Sequence, residues 1–141
     1  MTRFVIDASV VLAWCFDEVD PYAPLVLKAL PGTRVVAPAH FVLEVANGLI
    51  IAQRRNRING ADGSRAVALV QNLPLELDKL TGEHATRETL ALARAHGLTA
   101  YDAAYLELCI REGLPLASID QALNGACEKV GIQRFLTDAA G

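Results

Sequence analysis

Short apolar runs alternate with longer amphipathic stretches along this chain, and the change of period marks the elements. Phe4-Val5-Ile6 and Arg34-Val35-Val36-Ala37 are brief and rich in β-branched residues, the composition of buried strands. Leu75 to Leu77, Leu116-Ala117-Ser118-Ile119 and Ile132 to Leu136 predict three more strands. Helices are predicted between them. Asp7-Ala8-Ser9 opens one that continues from Val10 to Phe16, and Asp20-Pro21 opens a second that stops at Pro31-Gly32. From His40 to about Arg55, the residues Phe41, Val45, Leu49 and Ala52 share one helical stripe. Asn56 to Gly63 interrupts that pattern and Ser64 to Leu73 resumes it, so residues 40–73 read as a helical hairpin. His84 to Ala95, stopped by Gly97, is the next helix. Thr99 can cap another from Ala100 to Glu112, and Asp120 opens a last one closed by Gly131. Strands alternating with helices predict an α/β sandwich on a parallel sheet.

At 141 residues and 15.1 kDa the chain has the length of one domain, expected over residues 1–141. Its 52% hydrophobic and 21% charged residues are globular proportions and argue against disorder. A net charge of −3 excludes a wholly basic nucleic-acid binder, although a local basic patch remains open. Cys15, Cys109 and Cys127 are odd in number and lack C-x-x-C spacing, so they read as reduced packing residues of a cytoplasmic protein. The apolar run from Ala8 to Phe16 is far short of the ~20 residues a bilayer span requires, and no membrane segment is expected.

In open α/β sheets ligands bind beyond the carboxyl ends of the strands, which directs attention to the acids there. Asp7 and Asp120 each follow an apolar strand, where they read equally well as helix caps or as site residues. Glu44 is the only charge between His40 and Arg54, and Asp102 stands near the start of its helix. A solvated face and a favourable dipole contact are the structural readings of these two. Four converging carboxylates would raise one another's pKa unless a cation intervened. Oxygen ligands without His or Cys select hard ions such as Mg²⁺ or Mn²⁺, which suit phosphoryl chemistry.

The residues around those acids carry a resemblance. Val5-Ile6-Asp7-Ala8-Ser9-Val10-Val11-Leu12-Ala13-Trp14 resembles the opening of PIN-domain ribonucleases of the VapC toxin type. Glu44-Val45-Ala46-Asn47 is similar to their second acidic block, and Leu98-Thr99-Ala100-Tyr101-Asp102-Ala103-Ala104-Tyr105-Leu106 to the third. Leu116-Ala117-Ser118-Ile119-Asp120-Gln121-Ala122-Leu123 resembles the fourth, with Ser118 where the family usually has Thr. The likeness implies a three-layer sandwich on a five-stranded parallel sheet and a Mg²⁺- or Mn²⁺-dependent endoribonuclease. It implies Asp7 and Asp102 as principal metal ligands, and Glu44 in the acidic pocket, positioning or activating the attacking water. Asp120 would bind metal through water or hold a second ion. Ser9 would support Asp7 or the metal's waters, with Thr99 as a further supporting residue. A homodimer and a small antitoxin protein that blocks the site are implied as partners, beside the RNA substrate.

Arg54, Arg55, Arg57 and Arg65, against Asp62 alone, make a locally basic stretch that would contact RNA phosphates or an acidic antitoxin segment. Its structural reading is a solvated helix end. Trp14, Tyr101 and Tyr105 read as core aromatics before base-stacking ones, and His40, His84 and His96 as surface or capping residues. Two other functions compete. A catalytically inactive PIN-like module would bind RNA or protein without cutting. A receiver-like signalling domain would require an acidic pair after the first strand and a late-strand lysine, whereas Asp7 is followed by Ala8-Ser9 and Lys129 falls in a predicted helix.

Overall fold

Thr2–Ile6 forms β1, whose last three residues, Phe4, Val5 and Ile6, are completely buried. The computed structural model describes residues 2–16 and 20–137. β2 (Thr33–Ala37), β3 (Leu75–Leu77) and β4 (Leu116–Ala117) join β1 in a parallel sheet of order β3-β2-β1-β4. Parallel neighbours need long crossovers, and helices supply them. Helices α1 (Ala8–Cys15) and α2 (Tyr22–Ala29) connect β1 to β2. Helices α3 (Phe41–Arg54) and α4 (Gly60–Gln71) connect β2 to β3. From β3 the chain passes through α5 (Thr81–His84), a π-helical turn (Ala85–Thr89), α6 (Leu90–His96) and α7 (Ala100–Glu112) to reach β4. α8 (Gln121–Lys129) follows.

Two groups of helices flank the sheet. α1 packs against α2, α3 and α4, while α7 packs against α6, α8 and β1. Phe4, Phe41, Tyr105, Leu106 and Leu116 are among the side chains that are fully enclosed between them. Gly48 lets α3 approach α1 closely, since a Cβ there would lie 2.5 Å from Leu12 Cδ1.

The sheet has four strands rather than five. Ile132 to Leu136 meets it only through a bridge between Leu116 and Arg134, with Leu116 N donating to Gln133 O (3.0 Å) and Phe135 N to Leu116 O (2.8 Å). Leu136 then takes a φ of 67° and turns the chain away. Side chains hold the stretch instead. Phe135 stacks on Phe4 with ring centroids 3.8 Å apart, and the Arg134 guanidinium lies 3.6 Å over the Tyr22 ring.

Two helix starts also move. α4 begins at Gly60 rather than Ser64, because Asn59 and Asp62 close a reciprocal capping box that outweighs the two glycines. α5 begins at Thr81 rather than His84, where Asp78 accepts from Leu80 N (3.2 Å) and the Thr81 hydroxyl (3.1 Å).

Candidate active site

The register of β1 against β4 builds the centre of the site. Ile6 pairs with Ala117, and Asp7 N donates to Ala117 O at 2.9 Å, so Asp7 and Ser118 leave the sheet side by side. The sheet order places this pair where the chain departs from β1 toward β2 on one side and β4 lies on the other, the switch-point position that favours ligand sites.

Asp7 occupies the N-cap position of α1 but makes no side-chain cap bond. Its Oδ2 accepts instead from Ser9 Oγ (2.7 Å) and Ser118 Oγ (2.8 Å). Each hydroxyl in turn accepts a backbone amide, Ser9 that of Ile119 (3.2 Å) and Ser118 that of Asp120 (3.0 Å). The Ser118 carbonyl is held as well, by Asn124 Nδ2 (2.9 Å) and the Arg134 guanidinium (3.0 Å). Asp7 is 4% exposed. Burial raises its pKa to about 6, the two serine hydroxyls pull against that rise, and the charges of Glu44 and Asp102 add to it.

Asp102 stands three residues after Thr99, whose hydroxyl accepts its amide at 3.1 Å to cap α7. The same spacing in Asn59 and Asp62 closes a two-way capping box, which Thr99 and Asp102 do not, although the Thr99 hydroxyl also favours the charged form of the Asp102 carboxylate. Its pKa is raised, first by burial and then by the charges of Asp120 and Glu44. Asp120 does cap its helix, accepting from Leu123 N at 2.9 Å through Oδ1.

Glu44 lies in the first turn of α3 and is tied down rather than free on a solvated face. Its Oε1 accepts from the Tyr105 hydroxyl (2.7 Å) and lies 3.0 Å from His40 Nε2. His40 Nε2 is also 3.2 Å from the Tyr101 carbonyl, and facing two acceptors it carries the proton. Burial and the charges of Asp7 and Glu44 push the Tyr105 phenol far above its ordinary pKa, so it stays a donor.

The family model described as "PIN domain" matches residues 4–129. The chain belongs to the PIN-domain family. Among solved structures it is similar to PAE2754 from Pyrobaculum aerophilum, at 23% identity and a TM-score of 0.65 over 89% of this chain and 84% of that one. VapC20 from Mycobacterium tuberculosis, described as a sarcin-ricin loop cleaving toxin, aligns at 16% identity and a TM-score of 0.64 over 87% and 94% of the two chains. FitAcB from Neisseria gonorrhoeae aligns at 14% identity and a TM-score of 0.60 over 94% and 96%. At these identities the likeness is one of fold. A search among curated proteins finds no match.

In this PIN domain all four acids stand near strand or helix ends and sense one another's charge: Asp7 that of Glu44 and Asp102, and Asp102 that of Glu44 and Asp120. Among the described residues no three His, Cys, Asp or Glu side chains form a ready metal cage. Mg²⁺ is commonly held by one or two carboxylates with water in the remaining positions, so the donor type fits that ion although no cage is formed. The donors are all oxygens, and both hydroxyls converge on Oδ2 of Asp7, away from Oδ1.

The basic stretch lies elsewhere. Arg54 ends α3, ten residues beyond Glu44, or about 15 Å along the helix axis. The Arg57 guanidinium sits 4.9 Å over the Phe16 ring, and Arg65 pairs with Asp62. Trp14 and Tyr105 are bound inward, Trp14 donating from Nε1 to Ala23 O at 2.7 Å, whereas Tyr101 is 63% exposed. His40, expected at the surface or as a cap, occupies the N-cap position of α3 but makes no side-chain cap bond, and its ring turns to Glu44 instead. Its place four residues before Glu44 on the same helical face was the available signal. Arg134 and Asn124 carry no such signal, because their partner is a backbone carbonyl.

Proposed function

We propose that this chain is a Mg²⁺- or Mn²⁺-dependent endoribonuclease acting as the toxin of a toxin–antitoxin pair. The observation that carries this reading is Asp7, a buried carboxylate at a helix start that does not cap the helix and whose pKa is raised by burial and two neighbouring acids. Groups so perturbed at a switch point mark functional sites. A bound divalent ion would supply Lewis acidity, lowering the pKa of a water and neutralising charge on the scissile phosphate. Asp7 and Asp102 would be its principal ligands. Asp120, with Oδ1 engaged in capping, would contribute through water or hold a second ion. Glu44, its Oε1 fixed by Tyr105 and His40, orients the attacking water and accepts its proton. Ser9 and Ser118 hold Asp7 in one rotamer, and Thr99 sets the start of the helix that carries Asp102.

The likeness to VapC20, described as a sarcin-ricin loop cleaving toxin, supports RNA as substrate, and a small antitoxin is the partner that the toxin reading implies. Arg54, Arg55 and Arg57, exposed and remote from the acids, would hold RNA phosphates away from the cut or an acidic segment of the antitoxin. A homodimer is part of the same reading, and Ile50 and Ile51 of α3 are exposed apolar side chains of the kind an interface covers.

The test is cleavage of total RNA by purified protein with Mg²⁺ or Mn²⁺ and with EDTA, beside Asp102→Asn. Metal-dependent cutting that disappears in the variant is expected. Intact RNA from folded, metal-supplied wild type across several RNA classes would make the chain a PIN-like binding module instead.

A further inference from the structure

His40, Leu43, Glu44 and Asn47 stand at i, i+3, i+4 and i+7, so they form one stripe along the start of α3. Opposite them is Tyr101, in the first turn of α7. Together these five residues line an open cavity of about 380 Å³, in the size range of small-ligand pockets. Glu44 is a wall of this cavity and also a member of the acidic group, so the cavity adjoins the place where a phosphodiester would be cut.

The lining is unlike the acidic group beside it. Tyr101 is 63% exposed and Leu43 75%, two large apolar surfaces left open to solvent at the cavity edge. The tyrosine is nonetheless fixed: its carbonyl faces His40 Nε2 at 3.2 Å, and its ring lies 5.5 Å from the imidazole at an interplanar angle of 60°. The Asn47 side chain is exposed and offers both a donor and an acceptor. A fixed, exposed aromatic face, an apolar edge and an amide are the elements with which proteins hold an unstacked nucleobase. A base is also neutral, so the nearby carboxylates do not repel it as they repel a phosphate.

We propose that this cavity is a base subsite: it takes the nucleobase flanking the scissile phosphate of single-stranded RNA, stacked on Tyr101 with its edge toward Asn47. The subsite rests on the nuclease reading for its place in the reaction, but its binding can be measured without cleavage. One consequence is that paired RNA, whose bases cannot leave the stack, is a poor substrate beside a loop.

The experiment uses fluorescein-labelled single-stranded oligoribonucleotides, intact or with abasic riboses, with binding read by anisotropy in Ca²⁺ and cleavage followed separately in Mg²⁺ or Mn²⁺. Tyr101→Ala is expected to weaken binding of the intact oligomer about tenfold and to raise KM more than it lowers kcat. Tyr101→Phe, which keeps the ring, restores the affinity, and the abasic oligomer binds wild type and Tyr101→Ala alike. If wild type cleaves RNA but Tyr101→Ala binds and cleaves the intact oligomer as wild type does, the subsite is overturned while the nuclease reading stands. If wild type never cleaves but the loss of binding in Tyr101→Ala persists, the nuclease reading fails and the subsite stands. A variant altered only in its complex with a co-expressed antitoxin makes the cavity a protein-docking surface and overturns the proposal.

Discussion

Ser118 Oγ lies 3.5 Å from Ser9 Oγ, across 109 positions of sequence, and both hydroxyls donate to the same oxygen of Asp7. Each has one hydrogen, which Asp7 receives, so the two serines touch without bonding to one another. Backbone amides of the loop after β4 complete both hydroxyls, which makes the position of Asp7 depend on that loop.

Removing either hydroxyl should therefore act on chemistry and on stability together. Ser118→Ala takes one donor from Asp7 and leaves the Asp120 amide without its acceptor, a loss of about 1–3 kcal/mol in urea denaturation. Both hydroxyls hold the Asp7 pKa down against burial, so Ser9→Ala or Ser118→Ala should move the acid limb of the cleavage pH profile upward.

Asp7 itself gives the metal-free protein a distinctive pH dependence. Its folded pKa of about 6 lies above the ordinary 3.8, so between those values the folded protein keeps a proton that the unfolded chain has released. Stability then falls as pH rises from about 4 to about 6 and levels off above, a loss of about 3 kcal/mol at 1.36 kcal/mol per unit. Asp7→Asn, neutral and nearly isosteric, should melt higher than wild type at pH 8 in EDTA. Added Mg²⁺ should raise the wild-type Tm and leave that of the variant unchanged.

Tyr105→Phe keeps the buried ring and deletes only the hydroxyl that holds Glu44. The expected result is a change in stability of no more than about 1.5 kcal/mol with kcat for RNA reduced about tenfold. A variant with full activity would show that Glu44 needs no such anchor.

Arg111 should matter for folding alone. It bonds Asp78 through Nη1 (3.1 Å) and Nη2 (2.6 Å), and Glu107 through Nε (2.9 Å) and Nη2 (2.8 Å), joining α7 to the turn after β3. Glu107 is buried and Asp78 partly so, and Arg111→Ala would remove the donors of both while letting water reach them, a destabilisation of about 1–3 kcal/mol. Thermal melting measures this directly.

Arg54→Ala with Arg55→Ala should leave hydrolysis of a dinucleotide unchanged, because both lie about 15 Å along α3 from Glu44. Binding of longer RNA should weaken, with a salt dependence reduced by one to two phosphate contacts.

The sequence by itself determined the alternation of strands and helices, the parallel sheet and the acids at the ends of its elements. Those features follow from local periodicity and from the residue types that begin and end helices, which a linear reading captures. Phe4-Val5-Ile6 could be read as a strand and Asp7 as the residue that follows it without knowing what lay beside them. Tertiary structure alone decided how each acid is used. Asp7 and Asp120 hold the same position before a helix, yet Asp120 caps and Asp7 does not, because the β1–β4 register delivers Ser118 to Asp7. His40 entered the site for a similar reason, since Glu44 was drawn inward by Tyr105 from another helix. The fifth strand failed on the same level: Ile132 to Leu136 has strand composition, but its pairing with β4 is limited to one bridge before the turn at Leu136, and ring stacking of Phe135 on Phe4 holds it beside the sheet. Hydrogen bonds and ring contacts between residues a hundred positions apart leave no period in the chain, and they are what distinguish a helix cap from a site.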